Sequence, residues 1–481
     1  MQITVSNEII ITNPSSEIES FCKKNLVLEN PEYYKKLRMG FYVGKTPTTI
    51  SLYKKNGNKI CLPAGCISDL LQILPSGTVN EIKYDLAQNP SIDYNCEIPL
   101  YDYQEKALES MLTTNYGILQ APCGSGKTQI GISIAASLKM KTLWLTHTVD
   151  LLNQSKERAA QYMDKKLIGT ITAGKVNISE GITFATVQTM VNLNLPDYKY
   201  DWDLIIVDEC HRAAGTFSKL TMFSKVINSL AASRKYGLSA TVHRGDGLIK
   251  STFALLGNVA HIVTSEAVAD KTIGVTIQEI KTGIRVSDAC QNPDGTINYS
   301  DLIGYLAENE QRTETIVSKI LENKDHSNLI LSDRLNHLRD IIEGLKARGI
   351  QEDQIRMIDG QMVSKKAKEE RKNAIIDMRE GRAKFLFASY SLAKEGLDIP
   401  CLDRLYLSLP KKDFAVVTQS IGRIARTCEG KDTAIAYDFV DEIGFCINGW
   451  KQRKTIYRKK GCEIIEGAKK AVPGQKALCC F

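Results

Sequence analysis

Ala121-Pro-Cys-Gly-Ser-Gly-Lys-Thr128 has the make-up of a phosphate-cradling loop. The small residues Ala121, Pro122, Cys123, Gly124, Ser125 and Gly126 let the backbone wrap the β- and γ-phosphates of a nucleotide. Lys127 adds a point charge and Thr128 a hydroxyl ligand for Mg²⁺. Ala121 stands where glycine is usual, and that position needs only a small side chain. Further along, Leu204-Ile-Ile-Val207 is a continuous apolar run of the kind that forms a strand buried on both faces of a parallel sheet. It delivers Asp208 and Glu209 at its carboxyl end, where ligands gather in open α/β sheets. If the two acids merely capped a helix, the loop would lack a metal partner, so Asp208 is read as the metal carboxylate.

A second constellation is Gln419-Ser-Ile-Gly-Arg-Ile-Ala-Arg426. On a helix, Gln419, Arg423 and Arg426 fall four and three residues apart and share a face, and Gly422 lets the backbone come close. Two guanidiniums on one face repel each other unless an anion lies between them. A γ-phosphate is that anion, and the arginines then act as fingers on the charge of the transition state, unless they serve only surface salt bridges. Upstream, Ser389 follows a buried apolar run, and Gly396 and Asp398 sit in a loop read as facing the same cleft.

These groups need a scaffold of alternating strands and helices. Residues 117–120, 142–146, 181–186, 204–207 and 236–239 read as strands at the pace of a parallel sheet, and 328–331, 355–358, 384–388, 404–407 and 433–438 repeat the pattern. The expected organisation is a small α+β N-terminal module over 1–98, a nucleotide-binding lobe over 99–266, a linker over 267–300, a second lobe over 301–464 and a basic tail over 465–481. In the N-terminal module, a hairpin turns at Asn56-Gly57, and a helix from Ile67 to Leu74 stops at Pro75. Lys45, Lys54, Lys55 and Lys59 decorate this hairpin, either for duplex contact or simply as a solvated turn.

With 481 residues, 43% hydrophobic and 24% charged, the composition is that of an ordinary soluble globular chain of several domains. No apolar run is long enough for a membrane span, and the start lacks the features of a signal peptide. The 13 cysteines show no Cys-x-x-Cys pairing, which points to reduced thiols. The expected location is therefore cytoplasmic, on the nucleoid or in a host cytoplasm. From Gly449 onward there are nine Lys and Arg against Glu463 and Glu466, so the whole +7 excess lies there. Such an end contacts nucleic acid or is a solvated tail.

From about Leu100 to Cys462 the chain resembles the superfamily-two helicases and translocases. Tyr101-Asp-Tyr-Gln104 is similar to the glutamine motif that reads adenine, Ala121–Thr128 to motif I, Thr148–Gln154 to motif Ia and Thr186–Met190 to motif Ic. Asp208–His211 resembles motif II, Ser239-Ala-Thr241 motif III and Ser332-Asp-Arg334 motif IV, while the segments around Ser389 and Gln419 resemble motifs V and VI. Asp-Glu-Cys-His and the later Gly237-Leu-Ser-Ala-Thr-Val-His-Arg-Gly-Asp-Gly247 resemble the branch of XPB-type helicases, UvsW-type helicases and restriction-enzyme motor subunits. Val242 departs from that branch's proline, and Ser389 from its threonine. The resemblance implies an α/β fold of two RecA-like parallel-sheet lobes in tandem, using ATP and Mg²⁺. It implies that Asp208 holds the metal and Glu209 polarises the attacking water, with Gln104, Gly396, Asp398 and Gln419 around the nucleotide. It also implies that Thr148, Thr186, Ser332 and Ser389 contact strand phosphates, and that His211, Ser239 and Thr241 couple hydrolysis to movement. The partner is nucleic acid, with DNA favoured over RNA and a role in repair, recombination or replication. The rivals are an RNA helicase and an ATP switch that remodels protein complexes.

Overall fold

The computed structural model describes the chain except for residues 75–80, 123, 214–221, 243–246, 265, 286–289, 291–296, 360–364, 395–396, 398, 412–413 and 468–481. It divides into two units, Met1–Ala267 and Val268–Phe481.

The first unit is built on an eight-stranded sheet. Its order is Lys175–Asn177, Ile168–Thr172, Ile182–Thr186, Thr142–Thr146, Leu204–Asp208, Arg234–Ser239, Tyr116–Gln120 and Val259–Ile262. Every ladder is parallel except the hairpin of the first two strands. The central run Leu204–Val207 is fully buried, as a strand covered on both faces requires. Helix Lys127–Leu138 lies so close over this sheet that a Cβ on Gly131 would stand 2.6 Å from the Trp144 ring. Glycine is required there by contact, not by backbone angle.

The N-terminal residues form a five-stranded sheet in the order Lys54–Asn56, Lys59–Pro63, Glu8–Thr12, Gln2–Val5, Glu81–Tyr84. Alternation puts Ile9, Ile11, Ile60 and Leu62 inside, and Gly57 supplies the positive φ of the hairpin turn. The helix runs Ile67–Ile73. The expected separateness of this module is not what the fold shows. Its core continues into Tyr116 and Ala254 of the neighbouring sheet and helix. At Gly65 a Cβ would meet the backbone nitrogen of Gly257 at 2.5 Å. Two of the hairpin lysines face acids, Lys54 with Glu8 at 4.0 Å and Lys55 with Glu19 at 2.8 Å.

Lys235 helps close the same junction. It is fully buried, and its Nζ donates to the carbonyls of Ile227 at 3.0 Å and Asn7 at 3.2 Å. Burial pulls its ammonium down from the usual 10.5 to about 7. Between those values the unfolded chain holds a proton that the folded chain has released, so this residue adds stability as pH rises. Compared by urea denaturation, the stability difference between wild type and Lys235→Met should therefore move in the wild type's favour from pH 7 to pH 9. A pH-independent difference would contradict the shift.

The second unit carries a seven-stranded, wholly parallel sheet in the order Ile355–Ile358, Phe385–Ala388, Asn328–Leu331, Arg404–Leu407, Ala434–Val440, Val275–Lys281, Glu463–Ile465. The stretch 267–300, expected as a linker, thus contributes a strand inside the sheet. Val275–Lys281 pairs along its whole length with Ala434–Val440. Its sequence, Val-Thr-Ile-Gln-Glu-Ile-Lys, alternates like a half-exposed strand and lacks the apolar run of a central one. Strand Glu463–Ile465 likewise extends the sheet into the segment expected as the start of the tail.

Candidate active site

Strand Tyr116–Gln120 runs into the phosphate loop, and helix Lys127–Leu138 leaves it. Gly124 and Gly126 have φ of 86° and 75°, left-handed values that turn backbone N–H groups inward. Lys127 Nζ donates to the carbonyls of Ala121 at 3.1 Å and Pro122 at 3.2 Å, which places its charge in the mouth of the loop. Ser125 is buried, and its hydroxyl donates to the Pro122 carbonyl at 2.8 Å, so it shapes the turn. Thr128 follows Lys127 on the first turn of the helix and is half-buried. Cys123 lies outside the described residues.

Gln104 is anchored to the phosphate loop. It is 1% exposed, its Nε2 donates to the Ser125 carbonyl at 2.9 Å and its Oε1 accepts from Tyr101 N–H at 2.9 Å. Tyr103 O–H reaches the same Ser125 carbonyl at 3.2 Å. Gln104 therefore braces the phosphate loop from behind, and a Cβ on Gly126 would collide with its Nε2 at 2.2 Å.

Asp208 ends strand Leu204–Asp208 and is buried. Burial and the neighbouring Glu209 push its carboxyl up to about 7, against the pull of Lys127 and of the Glu209 N–H that it accepts at 3.0 Å. Glu209 has φ of 50°, a left-handed conformation uncommon outside glycine and often found at functional sites. Its Oε2 is 3.2 Å from His211 Nδ1, which also lies 3.0 Å from Ser239 Oγ. The Ser239 hydroxyl gives its own proton to the Thr241 carbonyl at 2.7 Å and accepts from Thr241 N–H at 3.2 Å. Ser239 thus has no proton left for the imidazole, so His211 carries its proton on Nδ1. His211, Ser239 and Thr241 form a hydrogen-bonded run between the ends of two adjacent parallel strands, with Glu209 Oε2 3.2 Å from its His211 end.

In the second unit, helix Phe414–Ile424 carries Gln419 and Arg423. Arg426 lies beyond that helix, contrary to the expected common helical face. Its backbone bridges to Thr272, and Ile273 N–H donates to the Ala425 carbonyl at 2.8 Å, which draws the chain out of helical register. Lys431 Nζ then fastens the turn by donating to the Arg426 carbonyl at 2.7 Å and the Pro400 carbonyl at 3.1 Å. No motif marks Thr272 or Lys431 in the sequence, because their parts arise from pairing between distant segments. Arg423 Nη1 donates to the Leu397 carbonyl at 3.0 Å. Gln419 is 4% exposed, and its Oε1 has no hydrogen-bond partner among the described residues, an acceptor that a ligand or water would satisfy. Gly396 and Asp398 lie outside the described residues.

All four residues expected on strand phosphates have hydroxyls within hydrogen-bond distance of protein groups. Thr148 Oγ1 caps helix Val149–Ala159 by accepting Leu151 N–H at 3.3 Å, and Thr186, 3% exposed, meets Thr189 Oγ1 at 3.0 Å. Ser332 is fully buried; it accepts Arg334 N–H at 3.1 Å and sits 3.2 Å from His337 Nδ1. Ser332 therefore positions its own turn. Ser389 is half-buried, its hydroxyl 2.9 Å from that of Ser391. The basic stretch also needs correcting. Helix Gly444–Lys459 buries Arg453, which is bound through two nitrogens to Asp438 at 2.8 Å, and Lys454 pairs with Glu466 at 2.7 Å. Arg453 is a structural ion pair and not part of a nucleic-acid track.

Residues 97–244 match the family described as Type III restriction enzyme, res subunit, and residues 311–428 the one described as Helicase conserved C-terminal domain. The two matches fall in order on the two parallel sheets. The chain belongs to the superfamily-two helicases. A solved structure of the ATP-dependent Type ISP restriction-modification enzyme LlaBIII bound to DNA shares the fold, with a TM-score of 0.56 at 16% identity over 85% of this chain and 35% of that one. This superfamily-two helicase is thus two RecA-like units in tandem with a small N-terminal module. Among relatives, an Acanthamoeba polyphaga mimivirus protein named as an unverified ATP-dependent RNA helicase is 27% identical over 398 residues, 81% of this chain and 72% of that protein. The DNA 3'-5' translocase XPB2 of Sulfurisphaera tokodaii is 31% identical over 177 residues, 37% of this chain and 38% of that protein. The chain is an ATP-hydrolysing nucleic-acid helicase or translocase, and among its described residues no helix is long and apolar enough to cross a membrane.

Proposed function

We propose that this superfamily-two helicase hydrolyses ATP with Mg²⁺ to move along DNA. The observation that carries the reading is the run from His211 through Ser239 to Thr241, whose His211 end stands 3.2 Å from the hydrolytic carboxylate Glu209 and whose other end lies on the adjacent strand end. A change at the γ-phosphate thereby reaches a segment outside the nucleotide loop. The preference for DNA is supported by the translocase XPB2 similarity at 31% identity.

Bound ATP and Mg²⁺ supply the phosphoanhydride and the cation that neutralises it. The residues present fit both. Asp208 is a buried acid at the end of its strand, its carboxyl pushed up to about 7 by burial and by Glu209, and it would hold the cation together with Thr128. Lys127 and the loop N–H groups hold the phosphates, Glu209 orients the attacking water and accepts its proton, and Arg423 and Arg426 steady the charge that develops. Closure and opening of the units through the cycle then move the strand.

The test is steady-state ATPase of the full chain with single-stranded DNA, duplex DNA, forked DNA and RNA at one salt concentration. DNA should raise turnover at least about tenfold more than RNA, a difference of roughly 1.4 kcal/mol. Stronger stimulation by RNA would favour the activity named for the mimivirus relative, and none by any nucleic acid would favour an ATP switch acting on protein complexes.

A further inference from the structure

Residues 30–48 leave the N-terminal module between strands Val27–Glu29 and Thr49–Ser51 and return to it. The excursion is built and closed at both ends. Buried Asn30 caps helix Pro31–Arg38 by accepting Glu32 N–H at 3.1 Å, and its Nδ2 donates to the Pro47 carbonyl at 2.8 Å. Lys36 Nζ ties the helix to Thr46 Oγ1 at 2.8 Å. Gly40, at φ of 66°, ends the helix: Gly40 N–H donates to Leu37 and Phe41 N–H to Lys36, at 3.2 and 2.9 Å. That turn throws the next residues outward. Leu28 and Ile50, at the root of the excursion, pack on Leu248, which leads helix Ile249–Leu256, so the arm is seated on the first unit.

None of the helix's residues is buried. Tyr34 is 37% exposed, Leu37 56%, Met39 53%, Phe41 58% and Tyr42 91%. So many large apolar side chains held outward within nine residues mark an interaction site and not scattered surface. The charge on the arm is one-sided, with Lys35, Lys36, Arg38 and Lys45 against Glu32 alone. Lys36 pairs with that Glu32 at 3.1 Å, so the positive charge offered outward is that of Lys35, Arg38 and Lys45, whereas the hairpin lysines 54 and 55 face acids. Flat aromatic faces interleaved with cations match an unpaired strand, whose bases stack and whose phosphates need positive charge; a duplex keeps its base faces covered.

We propose that the 30–48 arm is an accessory site for single-stranded DNA, using Phe41 and Tyr42 as stacking platforms and Lys35, Arg38 and Lys45 for phosphates. This rests on the DNA-driven reading above.

The test measures binding of labelled oligo(dT), a blunt duplex and phosphatidylserine/phosphatidylcholine vesicles to the full chain. Phe41→Ala with Tyr42→Ala should weaken oligo(dT) binding by about tenfold or more while leaving duplex binding within about twofold. Lys35→Gln, Arg38→Gln and Lys45→Gln together should flatten the salt dependence of oligo(dT) binding by about 2 in log–log slope. Tyr42→Trp, which keeps an aromatic face, should retain affinity and show its fluorescence quenched by oligo(dT). An unchanged oligo(dT) affinity in the double variant, with wild-type ATPase still stimulated by DNA, overturns the arm and spares the DNA reading. Vesicle binding lost in the double variant while oligo(dT) binding persists overturns it in favour of a membrane surface. Absence of ATPase stimulation by any nucleic acid in wild type overturns both.

Discussion

Glu209→Gln should bind ATP as wild type does and turn it over roughly 10²–10⁴-fold more slowly, the span of a lost general base. Glutamine fits the left-handed turn at φ of 50° as poorly as glutamate, and can still face His211 Nδ1, so the shape of the site survives while the proton acceptor goes. Lys127→Ala should behave differently. Its ammonium is the cation in the mouth of the loop, held by the Ala121 and Pro122 carbonyls, and without it the phosphates lose their fixed point charge. Nucleotide binding should fall along with turnover. Single-turnover hydrolysis with labelled ATP, beside equilibrium binding of a fluorescent analogue, separates the two. Equal loss of nucleotide binding in both variants would remove Glu209 from the hydrolytic role.

Arg423→Ala and Arg426→Ala should each lower turnover by roughly 10³-fold, the lower end for arginine fingers, with nucleotide affinity changed far less. A charge that matters in the transition state shows in kcat and not in ground-state binding. The structure adds a distinction between the two. Arg423 projects from a regular helix, whereas Arg426 depends on the bridge to Thr272 and on Lys431 holding its carbonyl. Lys431→Gln should therefore lower kcat in the same direction as Arg426→Ala and leave nucleotide affinity alone. Turnover near wild type in both arginine variants would move them out of the active site.

Much of the site was legible because its chemistry is local. The phosphate loop needs small residues, a lysine and a threonine in unbroken succession, and the strand that ends in Asp208 and Glu209 announces itself by four apolar residues in a row. The Asn56-Gly57 turn and the alternating strands beside it were legible for the same reason, since φ preference and side-chain alternation are properties of a few neighbouring residues.

What tertiary structure alone decided lies where distant segments compete for the same groups. Residues Gln419 to Arg426 have helical spacing throughout, yet the backbone bonds offered by Thr272 and Ile273 end the helix before Arg426. Gln104 has an amide able to read a base, and the Ser125 carbonyl and the Tyr101 N–H fix how that amide is turned. Arg453 adds to the basic count of its helix, and burial beside Asp438 converts that charge into an internal pair. Val275–Lys281 has too weak a pattern to stand out and becomes a strand because Ala434–Val440 pairs with it. Sequence determined which side chains were available for chemistry, since that is fixed by residue type and short spacing. The folded chain decided which remained available, since hydrogen bonds and burial between remote segments assign each donor, acceptor and charge its partner.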